Sequence, residues 1–184
     1  MDTPSSASGG HLLADPTDER SNCGVGVVMD LDGGRSHDTV ADGLELLENL
    51  EHRGTTGAEQ NTGDGAGVLV QTPHRFFAEE LDVDLPETYA VGSVFFPQND
   101  DARQVLAERF ETTMADHGLV VLTWRAVPTD NAELGQTALD SEPDVRQPVV
   151  APAEEMTEEA FDRALYVARR DVETDIEEAD LPGT

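Results

Sequence analysis

Hydrophobic positions along this chain follow two periods, and the switches between them divide it into alternating elements. Met1 to Asn22 shows neither period and is rich in Ser, Gly, Asp, Thr and Pro. It reads as a flexible leader, with order beginning at Cys23. Gly24 to Leu31 is an apolar run with two small residues near its start and predicts a buried strand. Asp32-Gly33-Gly34 then supplies turn chemistry. Val40, Leu44, Leu47 and Leu50 fall at helical spacing behind Ser36 or Asp38 as cap, and Gly54 suits the C-terminal cap. A glycine-rich loop, Thr55 to Gly67, leads into a short strand, Ala66 to Gln71. After Pro73 a short amphipathic helix is expected over His74 to Leu81, then a strand over Tyr89 to Phe96.

The second half repeats the alternation. Asn99 caps a helix to about His117 with Ala102, Leu106, Phe110 and Met114 on one face, and Gly118 closes it. Leu119 to Val127 is a strand. Pro128 to Glu142 lacks a period. Val145 to Ala151 is a strand that Pro148 is expected to interrupt. Thr157 caps a last helix whose inner face is Phe161, Leu165, Ala168 and Val172. Strands and helices alternate without an internal repeat, so the class is α/β or α+β, a sheet packed against helices.

Composition narrows the setting. A length of 184 residues suits one domain with a real core and is marginal for two. No apolar run approaches the length of a bilayer span, and Met1 to Arg20 lacks the basic start and apolar stretch of a secretory signal. A soluble, cytoplasmic protein is expected. A single cysteine excludes a disulfide framework and any multi-cysteine metal site. The charge is the loudest signal: 39 acidic against 11 basic residues, net −28, with no lysine. The acids are spread over the whole length and coexist with regular periods, unlike an acidic tail or a disordered segment. They predict a folded, halophilic protein, whose surface charge a salt-rich cytoplasm screens. The same charge makes nucleic acid a poor partner.

Few residues are placed for chemistry. On composition alone Cys23 reads first as a small apolar residue at the edge of a core, since buried free cysteines are common. Its position is unusual, because it separates the leader from an apolar run and is followed by Gly24-Val-Gly26, where glycines let a substrate approach the backbone. Removal of the leader would give Cys23 both a thiol and a free α-amine, whose ordinary pKa of about 7.7–8.0 makes it a base near neutrality. Nucleophile and base would then share one residue. Arg53, in His52-Arg53-Gly54, either complements the helix dipole or turns inward to organise a pocket. Gly63, Gly65 and Gly67 lack the spacing of a dinucleotide loop, and no P-loop lysine exists. A tight turn that brings backbone near a pocket fits them better. The histidines at 11, 37, 52, 74 and 117 show no metal-ligand spacing, and no Ser/His/Asp arrangement stands out.

Three segments carry a resemblance. Cys23-Gly-Val-Gly after Glu-Arg-Ser-Asn, Leu47-Glu-Asn-Leu-Glu-His-Arg-Gly54, and Thr62-Gly-Asp-Gly-Ala-Gly67 with Gln71 and Pro73 resemble the class II glutamine amidotransferases. Trp124 to Asn131, Leu134-Gly135, Ser141-Glu-Pro143 and Phe161 to Arg169 are similar to the glutamate synthase large chain, and Trp124 to Asn131 and Ser141 to Pro143 argue against purine or amino-sugar amidotransferases. The resemblance implies an α+β, N-terminal nucleophile hydrolase fold, a four-layer αββα sandwich of which this chain holds only the first part. It implies a leader, residues 1–22, cut to expose Cys23 as the nucleophile, an incomplete amidotransferase domain over 23–184, and Gly24, Arg53 and Gly65 near the substrate. L-Glutamine would be hydrolysed and its ammonia passed to 2-oxoglutarate. No cofactor is implied for this chain; FMN and an iron–sulfur cluster belong to the full enzyme, with a small electron-donating subunit or ferredoxin as partner.

The family's His-x-Arg-Phe-Ser-Thr type motif, its oxyanion-hole Asn-Gly and a later Asp for the substrate amine have no counterpart here. Oxyanion donors alone contribute about 2.7–4 kcal/mol each. The remainder of the large chain, or a completing chain, is therefore an expected partner, and the chain alone is expected to expose the inner face of a sheet. The contrasting expectation is a catalytically inactive fragment or interaction module that retains half of the fold.

Overall fold

A computed structural model describes residues 24–50, 62–63 and 65–178. The chain divides into two compact units, Met1–Thr55 with Asp64–Val68, and Thr56–Gly63 with Leu69–Thr184.

Among the described residues of the first unit one helix forms, α1 (His37–Asn49). Of the two caps expected, Ser36 and Asp38, Ser36 begins the helix, its Oγ accepting from Thr39 N–H at 3.3 Å. The turn before it forms as well: Gly33 has a φ of 75° and its N–H donates to the Asp30 carbonyl at 3.2 Å. Leu50 ends the helix; Gly54, the expected cap, lies outside the described residues. The half-buried face runs through Val40, Gly43, Leu46, Leu47 and Leu50, whereas Leu44 is exposed.

The expected strand over Gly24 to Leu31 does not form. Val25, Val27, Met29 and Leu31 are exposed, from 66% to 92%, and no described strand pairs with this run. An apolar run of this length is compatible with a buried strand, but a ladder requires a neighbour, and none is supplied among the described residues. The expected strand over Ala66 to Gln71 is absent for the same reason, with Leu69 fully exposed.

The second unit contains a four-stranded antiparallel sheet: β1 (Ala90–Val91), β2 (Val94–Phe96), β3 (Leu119–Ala126) and β4 (Asp144–Pro152). Around it lie α2 (His74–Glu80), α3 (Asp100–Asp116), α4 (Gln136–Asp140) and α5 (Glu158–Glu178). The architecture is α+β. β4 is central, with β3 on one side and β1 and β2 in a single register on the other: Ala90 lies opposite Val150 and Phe96 opposite Asp144. Pro148 does not interrupt β4, as its lack of an N–H suggests it should. It interrupts the neighbouring strand instead. Gly92 N–H donates to the Pro148 carbonyl at 3.1 Å, but Pro148 has no N–H to return, and β1 and β2 separate at Gly92-Ser93.

Helices α3 and α5 cover one face of the sheet. Asn99 caps α3 through Ala102 N–H at 2.8 Å, Gly118 closes it at a φ of 73°, and Thr157 caps α5 through Ala160 N–H at 3.3 Å. Phe110 and Met114 from α3 meet Phe161, Ala168 and Val172 from α5 over Leu119 and Val150, with Leu165 packed at the margin. Val121 and Trp124 both reach this core although three residues apart, because a bulge between Val121 and Thr123 resets the alternation. Arg125, next to Trp124, points to the opposite face. There it bonds Glu80 at 3.0 Å and Gln147 at 3.2 Å and lies over the Phe76 ring, which docks α2. The aperiodic stretch from Pro128 contains the short α4.

Candidate functional site

The residues expected to carry chemistry are divided by what is described. Cys23 and Arg53 lie outside the described residues, as does the expected leader, residues 1–22. Gly24 is half-buried and Gly65 exposed; both belong to the first unit. A Cβ at Gly65 or Gly67 would meet no atom within 4 Å, and neither has a positive φ, so neither close approach nor left-handed backbone requires glycine there. Gly26 differs. A Cβ there would stand 2.4 Å from Cδ2 and 2.6 Å from Cδ1 of Leu46, so the Leu46 side chain from α1 rests directly on the Gly26 backbone. The signal in the sequence was present, in that Gly26 is a second glycine just after Cys23. Its partner was not legible, since Leu46 fell outside the apolar stripe inferred for the helix.

In the second unit a concavity of about 310 Å³ opens where β3 ends and β4 begins, its lining including Val127, Thr129, Asn131, Glu142 and Asp144. Its rim belongs to the stretches Trp124 to Asn131 and Ser141 to Pro143. The polar groups there bind one another. Asn131 Nδ2 donates to Glu142 Oε2 at 3.0 Å, and Gln98 Nε2 donates to the Glu142 carbonyl at 3.2 Å. Arg103 and Arg146 hold Asp144 at 2.6 and 2.7 Å. Hydrogen bonding from Arg146 keeps the Asp144 carboxyl below its ordinary range against the opposing effect of burial, with the Arg146 and Arg103 charges adding to the shift. Arg146 is raised by the same bond. Among the described residues no histidine or cysteine lines this hollow, and its side chains serve to tie the 127–143 loop to the sheet.

The described histidines of this unit have structural partners. His117 Nε2 lies 2.7 Å from Asp171, which links the end of α3 to α5. His74 Nδ1 lies 3.2 Å from the Tyr89 hydroxyl, and burial raises the Tyr89 pKa. Among the described residues no three His, Cys, Asp or Glu side chains are grouped to hold a metal ion, and no helix is long and apolar enough to cross a membrane.

The chain belongs to the class II glutamine amidotransferases, whose family model matches residues 23–182. The fold class, that of the N-terminal nucleophile hydrolases, follows from this membership and agrees with the α+β sheet. Within the family the chain is similar to glutamate synthases. It is 40% identical to the glutamate synthase [NADPH] large chain of Bacillus subtilis over 86% of this chain and 11% of that one. It is 40% identical to glutamate synthase [NADH] of Schizosaccharomyces pombe over 86% of this chain and 8% of that one. To ferredoxin-dependent glutamate synthase 2 of Synechocystis it is 36% identical over 83% of this chain and 10% of that one. The chain thus spans about a tenth of the length of the curated relatives it matches.

Proposed function

We propose that this chain supplies the nucleophile-bearing part of the glutaminase domain of a glutamate synthase, with Cys23 as the nucleophile. The observation that carries the reading is that the family match begins at residue 23, on the only cysteine of the chain. Removal of Met1 to Asn22 frees the Cys23 α-amine. That amine takes the thiol proton, and the thiolate attacks the side-chain amide carbon of L-glutamine. The proton passes to the leaving nitrogen, ammonia departs, and a glutamyl thioester remains. Water then attacks the thioester, glutamate leaves and the thiol is restored. Gly24, Arg53 and Gly65 border the substrate, and the oxyanion and carboxylate contacts come from the remainder of the domain.

In the complete enzyme the ammonia aminates 2-oxoglutarate, and reduction to glutamate uses FMN and an iron–sulfur cluster held outside this chain. The relatives are named for three electron donors, NADPH, NADH and ferredoxin, so their names support a donor partner without selecting one. Assimilation of nitrogen in a salt-rich cytoplasm is the proposed setting, supported by the net charge of −28.

Intact-mass measurement tests the reading. Loss of Met1 to Asn22, followed by a single adduct of a glutamine-analogue electrophile on Cys23, is expected. A retained leader with an inert thiol would favour a non-catalytic interaction module instead.

A further inference from the structure

We infer that the open edge formed by β1 and β2 docks a β-strand from the remainder of a glutamate synthase large chain, added antiparallel to them. The inference rests on the reading above only for where that strand comes from; the edge itself is set by the sheet. Gly92 N–H donates to the Pro148 carbonyl, which fixes the phase of the ladder. In an antiparallel pair, bonded positions alternate with positions whose backbone groups face away. Val91, Ser93 and Phe95 are therefore the residues that turn N–H and C=O outward from β4. On its other side β4 accepts from Val127 N–H at the Val145 carbonyl, so the alternate residues of β4 serve β3 and the phase agrees. Among the described residues no strand pairs beyond β1 and β2.

Connectivity selects this edge over that of β3. β2 and β3 are parallel, with β4 between them, and α3 joins them across one face. Such crossovers are right-handed in about 98% of cases. β4 runs in the opposite direction and leads into α5, which packs beside α3 on the same face. His117 meets Asp171 and Arg109 donates to the Asp175 carbonyl, so α5 returns toward the end where β4 starts. A right-handed return from a strand of opposite direction moves across the sheet in the opposite sense. It reaches the edge beyond β1 and β2, where a strand parallel to β4 completes a split β-α-β arrangement. The two edges also differ in regularity. β3 carries the bulge between Val121 and Thr123, a device that blunts edge pairing, whereas β1 and β2 keep a single register. The incoming strand is apolar on both faces. One row continues Ala90, Val94 and Phe96 over the core, and the other lies beside Phe95, which is 67% exposed.

Amide exchange tests this on the full chain, mixed with the part of the Bacillus subtilis large chain that follows the segment it matches. Exchange at Val91, Ser93 and Phe95 is expected to slow by about tenfold or more. Leu119, Val121, Trp124 and Ala126, the outward amides of β3, should change less than about threefold. Ser93→Pro removes one outward N–H without touching the β4 ladder and is expected to weaken binding by about tenfold. Ala126→Pro does the same on the β3 edge and is expected to bind as native. Slow exchange at Gly92 and native Trp124 emission verify that each variant keeps its sheet. Should Ser93→Pro unfold, the exchange pattern of the native chain decides alone. Protection on the β3 edge instead, or at neither edge, overturns the inference. So does protection at Val91, Ser93 and Phe95 that appears in the chain alone as its concentration rises, since the occupant is then a second copy. Labelling of Cys23 by a glutamine-analogue electrophile is read in the same mixtures. An inert thiol beside a protected β1–β2 edge fails the nucleophile reading and leaves the docking edge standing.

Discussion

Gly92 and Pro148 face each other across the sheet with one hydrogen bond where two would ordinarily form. Gly92 donates to the Pro148 carbonyl at 3.1 Å and receives nothing back. Pro148 is nonetheless fully buried in the central strand. The missing bond falls on the β1–β2 edge, where the sheet tolerates it.

Replacement of Pro148 by Val supplies the missing donor, a gain of about 0.5–1.5 kcal/mol, and relaxes the unfolded chain, a loss of about 0.4–1 kcal/mol. Stability measured by urea denaturation should therefore stay within about 1 kcal/mol of native. Hydrogen exchange should reveal a new protected amide at position 148. A fast-exchanging amide there would mean that the gap has another origin.

Asp144 gives the second unit an acid-sensitive tie. Its folded pKa lies below the ordinary carboxylate value, chiefly through the Arg146 hydrogen bond and, with it, Arg103. A carboxylate of this kind contributes stability above the unfolded pKa of about 3.9 and loses it as pH falls through the folded value. Native protein should exceed Asp144→Asn in stability by a constant margin near neutrality, with the margin shrinking below about pH 4. A margin equal at pH 3 and pH 7 would contradict the ion-pair account.

The core joins both long helices to the sheet at Phe161, which is 3% exposed. Phe161→Ala should cost about 3–5 kcal/mol. Trp124, the only tryptophan, contacts Phe96 and Phe110 with ring centroids at 5.4 and 5.1 Å, so its emission reports this unfolding directly. A loss under about 1 kcal/mol would show that α5 is not held by this side chain.

Repulsion within a net charge of −28 should make stability depend on salt. The melting temperature is expected to rise between dilute buffer and molar KCl. An equal or higher value at low salt would remove the halophilic reading.

Local signals in the chain were enough for every element that carries its own caps and stripe. Asn99 with Gly118, and Thr157 with the Phe161, Ala168 and Val172 face, determined α3 and α5, because capping and helical spacing act over a few residues. The Cys23 motif and the segments after it likewise determined the family without any coordinates. Tertiary structure alone decided three other matters. Pro148 broke its neighbour rather than its own strand, because a ladder bond belongs to two strands. The bulge at Val121–Thr123 brought Trp124 to the core, because side-chain facing depends on pairing register. Leu46 rather than Leu44 turned to Gly26, because the buried face of a helix is set by what lies against it.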